Sequence, residues 1–142
     1  MRTNARHQGI FRAVLFAVTF HAINCVYASD VAAIAEKWSG SVMLVNNTTT
    51  SGEKHLGTAF VVESSGLLVT NFHVIENAES ITIKSASGGE FRGANVLAID
   101  KENDLAVLSI EATNLPAVRL IAANDVKIGT DVVVIGNPKG LE

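Results

Sequence analysis

The feature that most constrains this chain is a procession of short aliphatic segments, each closed off by glycine or by a polar cluster. They run through Ser41-Val42-Met43-Leu44-Val45, Thr58–Val62, Leu67–Thr70, Ile81–Lys84, Glu90–Leu97, Leu105–Ile110 and Val132–Ile135. Between them lie the polar loop Asn46–Glu53, the turn Ser64-Ser65-Gly66 and the bend Ser87-Gly88-Gly89, which reads as the tip of a hairpin joining 81–84 to 90–97. About seven short, β-branched runs with turn chemistry between them describe strands. Helical spacing is confined to residues 29–38 and one turn near His73, so the strand–helix alternation of a parallel sheet is missing. The expected fold is all-β, an antiparallel barrel or sandwich preceded by a short N-terminal helix.

That helix is predicted over 29–38. Ser29 or Asp30 can cap it, Val31, Ile34, Ala35 and Trp38 share one face, and Gly40 ends it. With 48% hydrophobic and 18% charged residues in 142, the chain can bury enough apolar surface to offset its conformational entropy, which excludes intrinsic disorder. Three of the 11 Lys and Arg precede residue 29 while all 14 acids follow it, leaving the remainder with a net charge of −6. An acidic body without clustered cations excludes a nucleic-acid surface. No basic amphipathic helix offers itself to a membrane surface either.

The cationic start has its own meaning. Arg2, Arg6 and Arg12 precede the apolar run Ala13–Phe20, and a weaker stretch ends in Val26-Tyr27-Ala28 before Ser29. Basic region, short apolar region and a small residue at the break make residues 1–28 a secretory signal peptide, with an uncleaved anchor as the alternative. The strict apolar run is too short to cross a bilayer, so no stable span is expected once the signal is removed. Cys25, the only cysteine, lies in this segment, and the mature chain then has neither a disulfide framework nor a thiolate metal site. The expected destination is the periplasm, with secretion or anchoring through the N-terminus as alternatives.

Two places can carry chemistry. In Leu67-Leu68-Val69-Thr70-Asn71-Phe72-His73 an aliphatic strand runs into a histidine, and in Asp100-Lys101-Glu102-Asn103-Asp104 an acidic turn runs into another strand. A carboxylate that accepts the Nδ1–H bond of a histidine fixes the tautomer and leaves Nε2 as a general base. Taken singly, each residue is as well explained by structure: a histidine satisfied after a strand, or an aspartate that caps a turn. The remaining histidines show no metal spacing, and the acidic turn lacks the glycine and bidentate glutamate of a calcium loop. No cofactor or metal is expected.

In sequence and order, however, these segments resemble the trypsin-like serine proteases, most closely their bacterial HtrA/DegP-like branch. Thr70-Asn71-Phe72-His73-Val74 resembles the T-N-x-H-V stretch around the catalytic histidine, and Asp104–Leu108 the D-L-A-V-L stretch that opens with the catalytic aspartate. Gly57-Thr58-Ala59-Phe60 is similar to the strand before that histidine, and Val134-Ile135-Gly136-Asn137-Pro138 to a stretch beyond the aspartate. The resemblance covers about residues 39–142. It implies a trypsin-like β-barrel fold, with 29–40 a helical lead-in, 41–110 the first barrel, 111–131 a linker and 132–142 the first strand of the second barrel. It also implies polypeptide substrates, unfolded or misfolded exported proteins among them, and room for a homo-oligomer in a full-length enzyme. His73 and Asp104 are the implied catalytic residues; Asp100, not followed by the aliphatic strand, is expected to serve its turn.

The family's nucleophile sits in a G-[ND]-S-G-G motif, and no part of the chain matches it. Ser87-Gly88-Gly89 has the wrong residues before the serine and lies between His73 and Asp104, where the family order is His, Asp, Ser. The expectation is therefore the His/Asp half of a serine endopeptidase, inactive alone. The alternative, from another class, is a secreted β-barrel that binds a partner without enzymatic function, or a decayed protease.

Overall fold

The computed structural model describes residues 30–136. The signal segment, Cys25 and Asn137-Pro138 therefore lie outside the described residues. Compactness divides the chain between Ala35 and Glu36, inside helix α1 (30–39), and every strand lies in the unit that begins at Glu36.

Among the described residues seven strands come after α1: β1 (Val42–Thr49), β2 (Lys54–Glu63), β3 (Leu67–Thr70), β4 (Ala78–Ser85), β5 (Glu90–Arg92), β6 (Asn95–Asp100) and β7 (Leu105–Ser109). A four-residue helix, α2 (Phe72–Ile75), links β3 to β4. Every pairing is antiparallel, in the order β5-β4-β1-β2-β3-β7-β6. β5 and β6 are the two ends of that order, yet only Gly93 and Ala94 separate them in sequence. Three Cα–Cα steps reach at most about 11 Å, so the sheet must curl until its edges nearly meet. The Gly93 and Ala94 N–H groups complete the approach by donating to the Ile81 carbonyl on β4, each at 3.1 Å.

Alternation decides which side of the curl is core. Met43, Val45, Ala59, Val61, Leu68, Ile81, Ile83, Ala106 and Leu108 point inward and are buried, and Val74 and Ile75 of α2 cap one end. Two glycines are required by close approach. A Cβ on Gly57 would overlap the Val74 side chain, and one on Gly66, at φ 104°, would run into the Ile110 carbonyl.

Three expectations are corrected. Asn46–Thr49 is not loop but the second half of β1, paired on both sides through Thr48, because the inward phase set by Met43 and Val45 continues through Asn47 and Thr49. The run 90–97 is two strands, since Gly93 at φ 73° turns the chain from one edge of the sheet to the other. Val132–Ile135, expected as the first strand of a second barrel, carries no strand. A strand exists only through a paired neighbour, and Val132 (73% exposed) and Val134 (91%) have none among the described residues. The hairpin tip at 87–89 stands as expected, with the Gly89 N–H donating to Ser85 Oγ at 2.9 Å.

Candidate active site

β3 and β7 are direct neighbours, with Thr70 opposite Ala106. Their adjoining ends therefore lie side by side: the chain leaves β3 into Asn71 and α2, and it enters β7 from the turn 101–104. That shared end brings His73 and Asp104 together. Nδ1 of His73 lies 2.6 Å from Oδ2 of Asp104, and the His73 backbone N–H donates to Oδ1 at 2.9 Å. Asn71 Nδ2 donates to the Asp104 carbonyl at 3.1 Å and to Oδ2 at 3.2 Å, while the Phe72 N–H reaches the same carbonyl at 3.2 Å.

One aspartate can receive all of these because of its backbone. Asp104 sits at φ 53°, a left-handed conformation that Asp tolerates better than most residues, so its carbonyl and its carboxylate both face α2. Such an outlier in a cluster of polar contacts marks a position held by its surroundings. The donors favour the charged carboxylate. The His73 backbone N–H above all, then the His73 side chain, hold the Asp104 carboxyl below its usual range. An ionised carboxylate only accepts, so His73 donates from Nδ1, and in the neutral imidazole that tautomer leaves Nε2 as the acceptor. The histidine side chain is 66% exposed, so that nitrogen is open to an incoming group.

The surroundings are shaped for access rather than enclosure. Thr50, Ser51, His55 and Glu76 line a hollow of about 350 Å³ beside His73. His55 turns to Glu53 at 3.9 Å, and among the described residues no His, Cys, Asp and Glu cluster suits a metal ion. Asp100 serves its turn: it accepts from the Asn103 N–H at 3.1 Å and from Asn103 Nδ2 at 2.7 Å. Ser87 stays at the β4–β5 tip, 3.0 Å from Ser85 Oγ.

Residues 57–142 match the family model of the trypsin-like peptidase domain. The chain belongs to the trypsin-like peptidase family. Within it, the chain lies on the HtrA/DegP-like branch. It is 44% identical over 86 residues to the probable periplasmic serine endoprotease DegP-like of Rickettsia prowazekii, covering 60% of this chain and 17% of that one. The Halomonas elongata protein of the same description is 37% identical over 89 residues, covering 63% and 19%. Among solved structures, the HtrA-type protease AlgW with tripeptide matches with TM-score 0.65 and 32% identity, over 70% of this chain and 32% of that one. The serine endoprotease of Yersinia pestis gives 0.56 and 32%, over 61% and 31%. This trypsin-like peptidase chain thus spans about a fifth of the length of the curated relatives it matches.

One polar contributor escaped the sequence. Asn47, 1% exposed, lies on the inward face of β1 and donates from Nδ2 to the carbonyls of Val74 at 3.0 Å and Glu76 at 3.3 Å. The available signal was its parity, in step with Met43 and Val45. Among the described residues no helix is long and apolar enough to cross a membrane.

Proposed function

We propose that this chain supplies the histidine–aspartate half of a serine endopeptidase acting on polypeptides. His73 is the general base and Asp104 orients it. The observation that carries this is the 2.6 Å contact between Nδ1 and the carboxylate, which in the neutral ring makes Nε2 the outward-facing acceptor. In the complete enzyme Nε2 takes the proton of the serine hydroxyl as that oxygen attacks the peptide carbonyl, then returns it to the leaving amine. Asp104 keeps the ring in place and stabilises the imidazolium formed between the two transfers.

Nucleophile and oxyanion hole belong to a G-[ND]-S-G-G segment that these 142 residues do not contain, so the chain alone does not turn over. In the proposed organisation residues 1–28 are a signal peptide, 29–40 a lead-in, 41–110 the first barrel, 111–131 a linker and 132–142 the opening of the second barrel. Substrates are unfolded or misfolded exported proteins, met in the periplasm. The relatives' descriptions as periplasmic endoproteases support that location.

The test is a chimera in which residues 41–136 replace the corresponding segment of the Rickettsia prowazekii relative, assayed on unfolded casein. Cleavage is expected, and His73→Ala should lower it roughly ten-thousand-fold or more. A folded chimera without activity, or one indifferent to His73→Ala, refutes the proposal and favours a barrel that only binds.

A further inference from the structure

Helix α2 has four residues, too few to close a regular ladder of internal hydrogen bonds. Its polar backbone groups must find partners elsewhere, and they do so at both ends. At the N-terminal end the Phe72 and His73 N–H groups donate to Asp104. At the C-terminal end the carbonyls of Val74 and Glu76 receive the two Nδ2 donors of Asn47. The Asn47 amide comes from a strand remote in sequence, is buried to 1%, and points at the very turn that presents His73. Its Oδ1, also buried, has no hydrogen-bond partner among the described residues. Of the buried polar side chains in that row, Ser41, Asn47 and Thr49, Asn47 is the one that donates to the turn carrying His73, whereas Thr49 Oγ1 turns to Ser51 and Glu53.

We infer that Asn47 is a positioning residue for His73, acting through α2 in opposition to Asp104; the inference rests on the peptidase chemistry proposed above. Asp104 holds the beginning of the helix and Asn47 holds its end, so the ring meets the carboxylate in one orientation. Without the amide, the C-terminal end of α2 keeps the packing of Val74 and Ile75 but loses its polar tie, and the 2.6 Å contact is formed part of the time.

The test uses the full chain, ¹⁵N-labelled, and measures solvent exchange of the His73 Nδ1 proton by NMR. Asn47→Val removes both donors with a side chain that suits the strand. Val45→Ala, in the same row and with no polar side-chain group to offer α2, reports the effect of weakening β1 alone. Asn47→Val should speed the exchange about fivefold, the factor that one hydrogen bond of ordinary net strength represents, with Val45→Ala close to wild type. Should Asn47→Val not fold, Asn47→Thr, whose shorter hydroxyl cannot bridge two carbonyls, should act in the same direction. Exchange unchanged in the Asn47 variant, or raised equally by Val45→Ala, overturns the inference while the site itself stands. A wild-type chain with no protected Nδ1 proton overturns the His73–Asp104 pairing, and the role of Asn47 with it.

Discussion

Gly57→Ala gives the most direct reading of how tightly α2 is seated. An added Cβ would stand 2.5 Å from Val74 Cγ2 and 3.0 Å from Val74 Cβ, against the 3.4–4 Å of ordinary contact, so β2 and α2 must separate by about 1 Å. Overpacking of this kind costs about 1–3 kcal/mol, reduced by the roughly 0.5–1 kcal/mol that alanine gains over glycine in a strand. Val74→Ala alone removes two buried methyl groups and should cost about 2 kcal/mol. In the double variant the new methyl enters the space Val74 vacates, leaving only the 3.0 Å Cβ–Cβ approach to be relieved by a few tenths of an ångström. The double variant should then be about as stable as Val74→Ala, a coupling of about 1–2 kcal/mol. Urea unfolding of the four chains measures it. Costs that add to within about 0.5 kcal/mol would refute the contact, and so would a Gly57→Ala chain as stable as wild type.

Asp104→Asn tests the electrostatics. The Asp104 carboxyl is depressed in the folded chain, so its contribution to stability is intact above the ordinary aspartate value of about 3.9 and disappears as pH falls through the lower folded value. The urea midpoint of the wild type should therefore fall more steeply on acidification below about pH 4 than that of Asp104→Asn. Glu90 and Asp100, also depressed, are present in both chains, so the difference belongs to Asp104. Parallel acid limbs would contradict the assignment. In the core, Leu68 is 0% exposed and Leu68→Ala should cost about 2–5 kcal/mol by urea unfolding. Leu97, 58% exposed on an edge strand, should change stability by no more than about 0.5 kcal/mol on replacement by Ala, and equal losses at the two positions would contradict the burial pattern.

The sequence is legible where side-chain chemistry and backbone pairing agree. Leu67–Val69 and Leu105–Leu108 are aliphatic throughout and read as strands. The histidine after one and the aspartate before the other were therefore expected at strand mouths, where both are found. Asn46–Thr49 was illegible because its polar side chains carry loop chemistry. Flanking strands on both sides impose the extended backbone, and tertiary context overrides propensity. The role of Asn47 was hidden for the same reason. The break at Gly93 was illegible because a continuous run and a run redirected to the opposite sheet edge look alike in composition. Val132–Ile135 shows the converse: strong β-propensity without a neighbour is not yet a strand.

The adjacency of β3 and β7 has a consequence for how such a chain can diverge. His73 and Asp104 are 31 residues apart along the chain, but a single rung, Thr70 opposite Ala106, sets their separation in space. The hairpins between them leave this rung and return to it. They can lengthen, shorten or acquire new binding surfaces while the distance between the two side chains stays fixed. Insertions at the β4–β5 tip, residues 86–89, are free to explore, whereas one residue slipped in the β3–β7 register would invert every side chain and part the pair. The spacing of the pair is written in the ladder, and the turns between are left open to selection for other ends.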